Sequence, residues 1–307
     1  MSEYQVFGHT NPDTDTIASA IATSYLLNNL YKWDTQAVAL GTPNEETTFA
    51  LNYFKVQAPN VIKEAETEKV VLVDHNEAAQ SVTNLSDVTV ASIYDHHKFN
   101  FSNSDPLYIV AKPWGSVATI LYFEFKNNNV EIPSEIAGLM ASAIISDTLL
   151  LKSPTTTDVD KIALEELAKV AGLENYKEYG LELLKAGTNL ENKTEEELLN
   201  GDAKTFTMSG RTIRIGQVNT VDIDSVLSRK DKLLAAMDKQ MQKNGFDDFL
   251  FVITDILNSN SKAIFQGEDL AFVEEAFSIK ADNHIIDLPG VVSRKKQVVP
   301  PLEESFK

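Results

Sequence analysis

The sequence predicts an α/β fold, with a doubly wound and mostly parallel sheet in its N-terminal part and a smaller α/β domain after it. In the first half of the chain, short apolar runs alternate with helical patterns, which is typical of parallel sheets covered by helices. Near Gly187 the chain turns polar and charged, in the segment GTNLENKTEEE, which indicates a linker. A chain of 307 residues is long enough for two domains.

The N-terminal part contains five apolar runs that predict strands and six amphipathic patterns that predict helices. The strands are expected at Gln5–Phe7, Gln36–Leu40, Val70–Val73, Val88–Tyr94 and Leu107–Ala111. The helices are expected at Thr16–Leu30, Asn44–Phe54, Ser116–Asn127, Ser134–Leu150, Asp158–Ala171 and Tyr176–Ala186. Asn44 is a typical N-cap residue, and it therefore marks the start of the second helix.

The C-terminal part has fewer elements. The segment AKTFTMSGRTIRIGQV predicts a hairpin that turns at Ser209-Gly210. The other elements expected here are a helix from Ser225 to about Lys243, strands at Phe249–Ile256 and Ala263–Gln266, a helix near Leu270–Phe277, and a tail that contains SRKK. We therefore expect domains at residues 1–188 and 195–307, joined by a linker at residues 189–194.

Charge and composition exclude several classes of function. The chain has 27 Lys and Arg against 45 Asp and Glu, a net charge of −18, which repels nucleic-acid phosphates outside local cationic pockets. It has no cysteine, which excludes disulfides, thiol nucleophiles and Cys-ligated zinc or iron–sulfur centres. It has no signal-peptide pattern and no apolar run long enough for a membrane span. We expect a soluble cytoplasmic protein that binds neither nucleic acid nor membranes.

Four of the five histidines follow predicted strands, and acidic residues accompany them. These clusters are His9 with Asp13 and Asp15, Asp74 with His75, and Asp95 with His96 and His97. Because the carboxyl ends of parallel strands meet in one crevice, we expect these side chains to lie close together. Asp147 is a further candidate, since an aspartate in an apolar helix is unfavourable unless it is paired or bound to a metal.

Several carboxylates in one cleft would repel each other unless cations lie between them. Histidine nitrogens and aspartate oxygens without cysteine suit Mn²⁺, Co²⁺ or Mg²⁺. Two ions about 3.5–4 Å apart can promote an in-line displacement at phosphorus. Structural interpretations stay open for single residues: Asp13, Asp15 and Asp74 could cap helices, and Asp147 could bond to Ser146 or Thr148. Two adjacent histidines after an apolar strand, however, have little packing value.

The segments GHTNPDTDTIASA, VDHNE, DHH and SDTLLLKSPTTT, in this order, resemble the DHH phosphoesterase superfamily. The C-terminal segment SRKKQVVPPL, in place of a glycine-rich GGGH-type motif, makes the chain similar to the family II, manganese-dependent inorganic pyrophosphatases. The resemblance covers essentially the whole chain. It implies a DHH domain, a smaller DHHA2-type domain, an active site in the cleft between them, and a homodimer formed through the N-terminal domain.

The resemblance also implies roles for individual residues. The implied metal ligands are His9, Asp13, Asp15, Asp74, His96 and Asp147, with Asp74 shared by both ions. The implied substrate-binding residues are His97, Lys204, Arg294 and Lys295. The implied reaction is hydrolysis of pyrophosphate to two phosphates by a hydroxide that two Mn²⁺ share, with Asp74 and His97 catalytic and Mg²⁺ arriving with the substrate. Asp95 is expected to orient a histidine, and His75 and His284 to be structural.

Two other functions stay open at this stage. The first is an exopolyphosphatase or short-oligonucleotide phosphodiesterase on the same scaffold; the negative charge and the missing glycine-rich motif disfavour the nucleotide version. The second is a non-catalytic metal- or nucleotide-binding sensor. A regulatory insertion between the two domains would favour a sensor, and the sequence has none.

Overall fold

The computed structural model describes residues 2–103, 106–188, 190 and 193–307. The chain divides into two compact units, unit 1 at residues 1–187 and unit 2 at residues 188–307. The predicted linker at residues 189–194 lies partly outside the described residues, because Asn189, Glu191 and Asn192 are not among them. No helix in the described ranges is long and apolar enough to cross a membrane.

Unit 1 is built on a six-stranded sheet in which all neighbouring strands are parallel. The strands are β1 Tyr4–Phe7, β2 Thr35–Ala39, β3 Asn60–Val61, β4 Lys69–Val73, β5 Thr89–Asp95 and β6 Tyr108–Ala111. Their spatial order is β3-β2-β1-β4-β5-β6. The order therefore reverses between β1 and β4, and in open α/β sheets ligands bind at such a point, outside the carboxyl ends of the strands.

Six helices belong to unit 1, and they follow the predicted pattern closely. They are α1 Thr14–Leu30, α2 Glu45–Tyr53, α3 Val117–Asn127, α4 Ser134–Thr148, α5 Asp158–Val170 and α6 Tyr176–Ala186. The Asn44 side chain caps α2 by accepting a hydrogen bond from the backbone N–H of Thr47, at 2.8 Å, as predicted. Helix α4 ends two residues before the predicted Leu150, because Leu149 takes a left-handed conformation with φ 48°.

Unit 2 has a mixed five-stranded sheet in the order β11-β10-β9-β8-β7. The strands are β7 Asp202–Met208, β8 Arg211–Thr220, β9 Asp248–Asp255, β10 Asn260–Gly267 and β11 Ile285–Leu288. Among these described strands, β8 and β9 pair in parallel, and the other neighbours pair antiparallel. Side chains alternate along the central strand β9: Leu250 packs in one apolar cluster, and Phe251 packs in another. The sheet of unit 2 is therefore covered on both faces.

Five helices accompany this sheet. They are α7 Glu195–Asn200, α8 Ile223–Leu227, α9 Lys230–Asn244, α10 Leu270–Phe277 and α11 Val299–Ser305, and α11 follows a π-helical turn at Arg294–Val298. The hairpin at Ser209-Gly210 is confirmed, and both residues take positive φ angles, which is typical of a tight two-residue turn.

One prediction for unit 2 is wrong. The single helix expected from Ser225 to Lys243 is two helices, α8 and α9, which meet at Ser228 and Arg229. The guanidinium of Arg229 at this break donates to the backbone carbonyls of Leu190 and Lys193. The tail that contains SRKK, for which the sequence predicts no element, forms the π-helical turn and α11; the prolines of α11 lie in its first turn, where a missing N–H is tolerated.

Candidate active site

The structure brings the six predicted metal ligands together at the carboxyl end of the unit 1 sheet. His9 follows β1, Asp74 follows β4 and His96 follows β5, while Asp15 and Asp147 lie in α1 and α4 and Asp13 is the N-cap of α1. Three groups have donor atoms within 4.8 Å of one another: His9, Asp13 and Asp74; Asp15, His96 and Asp147; and Asp74, His96 and His97. The clusters that are far apart in the sequence are therefore one site in space.

Asp74 lies at the centre of the site and is 2% exposed. Its Oδ2 is 3.4 Å from Nε2 of His9, and its Oδ1 is 3.4 Å from Nε2 of His96. Oδ2 also accepts a hydrogen bond from the Thr16 hydroxyl at 2.7 Å. Oδ1 accepts no hydrogen bond from the described residues, although it is buried. A buried carboxylate oxygen without a partner is unfavourable, and a divalent cation bound there would satisfy it.

Backbone carbonyls orient the two histidines. Nδ1 of His9 is 2.8 Å from the carbonyl oxygen of Thr10, and Nδ1 of His96 is 2.9 Å from that of Trp114. Because a carbonyl oxygen can only accept a hydrogen bond, Nδ1 carries the proton in both rings. In the neutral imidazole, Nε2 then has the lone pair, and it faces the carboxylates. This is the usual arrangement of histidines that bind metals through Nε2.

Asp15 is held rigidly by the start of α3. Its Oδ2 accepts a hydrogen bond from the N–H of Val117 at 2.7 Å. Its Oδ1 accepts from the N–H of Ala118 at 3.0 Å and from the hydroxyls of Ser116 and Ser19 at 2.8 and 3.0 Å. Burial and the charge of Asp74 raise the pKa of Asp15 to about 6. The carboxylate is thus fixed in position, and its charge is unfavourable without a cation nearby.

Asp13 and Asp147 complete the acidic cluster. The Asp13 side chain caps α1 by accepting from the N–H of Thr16 at 2.9 Å, so the capping interpretation of this residue is also correct. Burial, followed by the charges of Asp15, Asp13 and Asp74, raises the pKa of Asp147 well above its ordinary value. The cluster is therefore one in which a bound cation would relieve repulsion among four carboxylates.

The sequence left open that Asp147 forms a hydrogen bond with Ser146 or Thr148, and the structure shows neither bond. The hydroxyl of Ser146 donates to Oε1 of Glu46 at 2.5 Å, and the hydroxyl of Thr148 donates to the backbone carbonyl of Ile144. Neither of them bonds to Asp147, whose Oδ2 is 4.0 Å from Nε2 of His96. Asp147 therefore faces the other candidate ligands.

The charge of the carboxylates favours protonated histidines in the metal-free site. Burial by itself lowers the pKa of His9, but hydrogen bonds and charges from Asp13 and Asp74 outweigh it and raise the pKa to about 12. Burial likewise lowers the pKa of His96, and Asp74 and Asp15 raise it to about 9. Because a metal binds only the unprotonated nitrogen, protons and cations compete for these two rings.

His97 differs from the other histidines, because its side chain is 40% exposed. Its Nδ1 is 2.9 Å from Oδ1 of the buried Asp95 and 3.8 Å from Oδ1 of Asp74. Asp95 also accepts from the backbone N–H groups of His96 and His97 and from the side-chain amide of Asn76. Burial opposes the charge of Asp95, but hydrogen bonds from His97 and Asn76 lower its pKa. Asp95 is therefore positioned to orient His97.

The other two histidines lie apart from these interactions. His75 is buried, its Nδ1 is 2.9 Å from the carbonyl oxygen of Val73, and its ring lies 6.1 Å from the ring of Phe7. His284 belongs to unit 2, where its Nδ1 is 3.0 Å from the carbonyl oxygen of Phe265. Both fit the structural role that the sequence suggests.

The three predicted substrate-binding cations belong to unit 2. Lys204 is exposed on β7, and Lys295 is exposed in the π-helical turn. Arg294 is instead buried, and its guanidinium donates to Oδ1 and to the backbone carbonyl of Asp202, each at 2.6 Å. Asp202 is thus a local anionic partner of Arg294 that the sequence did not indicate.

Sequence reasoning missed the residues that support the ligands. Thr16, Ser116 and Asn76 bond to Asp74, Asp15 and Asp95, respectively. Asn76 directly follows the Asp74-His75 pair, and its position next to a candidate ligand could have indicated a supporting role. Ser116 carries no such signal, because it is about a hundred residues from Asp15 in the sequence.

Comparisons with known proteins agree with this geometry. Residues 3–144 match the model of the DHH family, N-terminal domain, and residues 181–305 match the DHHA2 domain. The chain is therefore a DHH-family protein with a C-terminal DHHA2 domain. It is 54% identical over 311 residues to the probable manganese-dependent inorganic pyrophosphatase of Lactobacillus acidophilus, covering 100% of this chain and 99% of that one.

A solved structure extends the likeness to the fold. The putative family II inorganic pyrophosphatase of Methanococcus jannaschii is 41% identical, with a TM-score of 0.82 and 99% of each chain covered. An exopolyphosphatase-related protein from Bacteroides fragilis shares the fold alone, at 11% identity and a TM-score of 0.51 over 99% of this chain and 92% of that one. The chain belongs to the family of manganese-dependent, family II inorganic pyrophosphatases. The predicted fold class and family are confirmed.

Proposed function

We propose that this protein hydrolyses inorganic pyrophosphate to two phosphates at a centre of two Mn²⁺. The observation that carries the proposal is the position of Asp74, whose two oxygens face His9 on one side and His96 on the other. A single buried carboxylate can thus serve two cation sites. The names of the relatives supply the metal and the substrate.

The ligands divide into two sets around Asp74. We assign His9, Asp13 and Asp74 to one ion. We assign Asp15, Asp74, His96 and Asp147 to the other. The unpartnered Oδ1 of Asp74 and the two converging Nε2 atoms support this fit. Co²⁺ and Mg²⁺ accept the same nitrogen and oxygen donors and are expected substitutes.

His97 is assigned to the substrate and not to a metal. Its Nδ1 lies within hydrogen-bond distance of Asp95, which leaves Nε2 for another partner. When protonated, the ring can donate a hydrogen bond from Nε2 to an oxygen of the leaving phosphate, while the buried Asp95 stabilises its charge. Its exposure is consistent with contact to a ligand that enters from solvent.

The remaining groups neutralise charge. Bound divalent ions act as Lewis acids and lower the pKa of a coordinated water. The side chains of Lys204, Arg294 and Lys295 stabilise the charge that develops on the leaving phosphate, which is usually a large contribution to catalysis. Arginine can hold a phosphate through two hydrogen bonds, so we expect phosphate to compete with Asp202 for Arg294.

Phosphate release from pyrophosphate, measured with and without Mn²⁺, tests the proposal. We expect rapid release that depends on Mn²⁺ and is slower with Co²⁺ or Mg²⁺ alone in the site. Tripolyphosphate and a dinucleotide are parallel substrates, and faster turnover of either would favour the exopolyphosphatase or phosphodiesterase alternative. Tight binding of pyrophosphate without release of phosphate would favour a sensor.

The substrate is expected to arrive with Mg²⁺, because pyrophosphate binds this ion in solution.

We also propose that the enzyme works in the cytoplasm as a homodimer formed through unit 1. The roles of metal binding and substrate binding divide at the predicted linker, residues 189–194. The exposed side chains of Tyr108 and Ile109 on the edge strand β6 support a contact between copies. Light scattering that gives the mass of a monomer would contradict the dimer.

A further inference from the structure

Asp160 is a buried carboxylate that the proposed reaction does not use. It lies in the first turn of α5 and is 0% exposed. The N–H of Gly115 lies 3.0 Å from each of its oxygens. The Thr119 hydroxyl donates to Oδ1 at 2.6 Å, and the N–H and hydroxyl of Thr157 donate to Oδ2 at 2.7 and 2.6 Å. All of these partners donate hydrogen bonds, so both side-chain oxygens of residue 160 must act as acceptors.

The residues around Gly115 hold two candidate metal ligands. We refer to residues 114–118 as the ligand-support segment. Its first residue, Trp114, accepts the hydrogen bond from Nδ1 of His96 at 2.9 Å. Its last three residues provide three of the four hydrogen bonds to Asp15, through the Ser116 hydroxyl and two backbone N–H groups. Gly115 lies between these two sets of contacts, and Asp160 binds its N–H.

We propose that Asp160 is a positioning residue for the metal ion assigned to Asp15, His96 and Asp147. The residue acts through the ligand-support segment, because fixing Gly115 fixes the carbonyl that orients His96 and the donors that orient Asp15. The other set, His9 and Asp13, depends on Thr10 and on the start of α1 instead. This inference rests on the proposed dinuclear site.

The close approach of Asp160 also explains why residue 115 is glycine. A Cβ atom at this position would lie 2.8 Å from Oδ2 of Asp160 and 2.7 Å from Cγ2 of Thr148. Both distances are shorter than van der Waals contact, so a side chain would push the segment away from its anchor. Gly115→Ala is therefore a second way to disturb the same contact while Asp160 itself remains.

The experiment is a titration of the full chain with Mn²⁺, followed by electron paramagnetic resonance of the unbound ion. In Asp160→Asn, an amide NH₂ group replaces an oxygen that faces N–H and O–H donors. We expect Asp160→Asn and Gly115→Ala to weaken one of the two bound Mn²⁺ by about 10- to 100-fold, as is typical when a residue that orients a metal ligand is changed. The other Mn²⁺ is expected to bind as in the wild type.

Thr157→Val is the matched control. It removes the hydrogen bond from the Thr157 hydroxyl to Oδ2 of Asp160, which lies at the start of α5. The contact between Asp160 and the N–H of Gly115 stays in place. We expect a lower melting temperature with unchanged affinity for both ions. A general loss of stability would instead weaken Mn²⁺ binding in all three variants, and this result would overturn the inference.

Failure of the inference can be distinguished from failure of the proposed function. If the wild type binds no Mn²⁺, the proposed function is wrong, and the inference is wrong with it. If the wild type binds two ions and the folded Asp160→Asn chain binds both equally well, only the inference is wrong. If Asp160→Asn does not fold, the same Mn²⁺ titration is made with Gly115→Ala, and wild-type binding of both ions by that variant would show that the inference is wrong.

Discussion

At the scale of single residues, Asp147 is a proposed metal ligand in an electrostatically unfavourable position. Its carboxyl group is surrounded by other carboxylates, and its pKa in the folded protein is well above that of an unfolded chain. When the pH rises above the pKa that Asp147 has in the unfolded chain, this carboxyl group ionises more readily in the unfolded chain than in the folded protein. The free energy of unfolding of the metal-free protein therefore falls. The raised pKa of Asp147 therefore makes its carboxyl group destabilising in the metal-free protein near neutral pH.

We expect Asp147→Asn to stabilise the metal-free protein by about 1 kcal/mol, the usual size of a single stabilising substitution. An amide keeps the shape of the side chain and removes its charge. With saturating Mn²⁺ the order is expected to reverse, because the wild type gains stability from the metal that it binds. Urea unfolding at pH 7 with EDTA and with Mn²⁺ measures both differences. A less stable variant in EDTA would contradict this account of Asp147.

The affinity for Mn²⁺ is expected to rise with pH. In the metal-free protein the pKa values of His9 and His96 are raised to about 12 and about 9, so both rings carry a proton near neutral pH. Metal binding must release these protons, and the affinity should increase about tenfold per pH unit for each proton released. Calorimetry in buffers of different ionisation enthalpy counts the protons. Binding without proton release would show that the rings are already neutral.

At the scale of elements, the sequence predicted the six helices and five of the six strands described for unit 1 to within a few residues, because each carries an apolar pattern, which all but the edge strand β6 bury. The two-residue strand β3 was missed, since Asn60 and Val61 are exposed and carry no such pattern. Five of the six candidate ligands were singled out because they lie in short His and Asp motifs after predicted strands, and Asp147 because an aspartate is unfavourable in an apolar helix. Asp160 was not, because the contact that links it to the site is the backbone N–H of Gly115, 45 residues away, and a backbone contact leaves no pattern in the sequence.

The central strand β9 should carry much of the stability of unit 2. Leu250 in this strand is fully buried, whereas Leu257, shortly after it, is 38% exposed. Leu250→Ala should destabilise the protein by about 2–5 kcal/mol, because it leaves a cavity in the core. Leu257→Ala, the matched control, should cost about 1 kcal/mol or less. Guanidinium unfolding followed by circular dichroism compares them. Equal losses would contradict the assignment of β9 to the core.

At the scale of the whole molecule, the proposed roles of metal binding and substrate binding divide between the two units. All six candidate ligands belong to unit 1, and the cationic residues Lys204, Arg294 and Lys295 belong to unit 2. The chain has a net charge of −18, so binding of an anionic substrate should depend on such cationic side chains. Metal binding and substrate binding should therefore respond to different substitutions.

We expect Asp74→Ala to abolish turnover and to weaken Mn²⁺ binding, because both ions share this carboxylate. Lys295→Ala should raise KM or lower kcat while Mn²⁺ stays bound. Lys296→Ala, an exposed neighbour in the same turn, is the matched control and should leave the kinetics unchanged. Steady-state phosphate release and Mn²⁺ titration measure these effects. Unchanged Mn²⁺ affinity in Asp74→Ala would defeat the assignment of this residue as the shared ligand.

The carbonyl groups that orient His9 and His96 have a consequence for how such sites persist through evolution. The hydrogen bonds at Thr10 and Trp114 use main-chain oxygens, which every amino acid possesses. Mutations at these two positions can therefore accumulate without turning either imidazole, provided that the path of the loop is kept. The orientation of both rings is thus expected to depend on the path of these two loops more than on the side chains of Thr10 and Trp114.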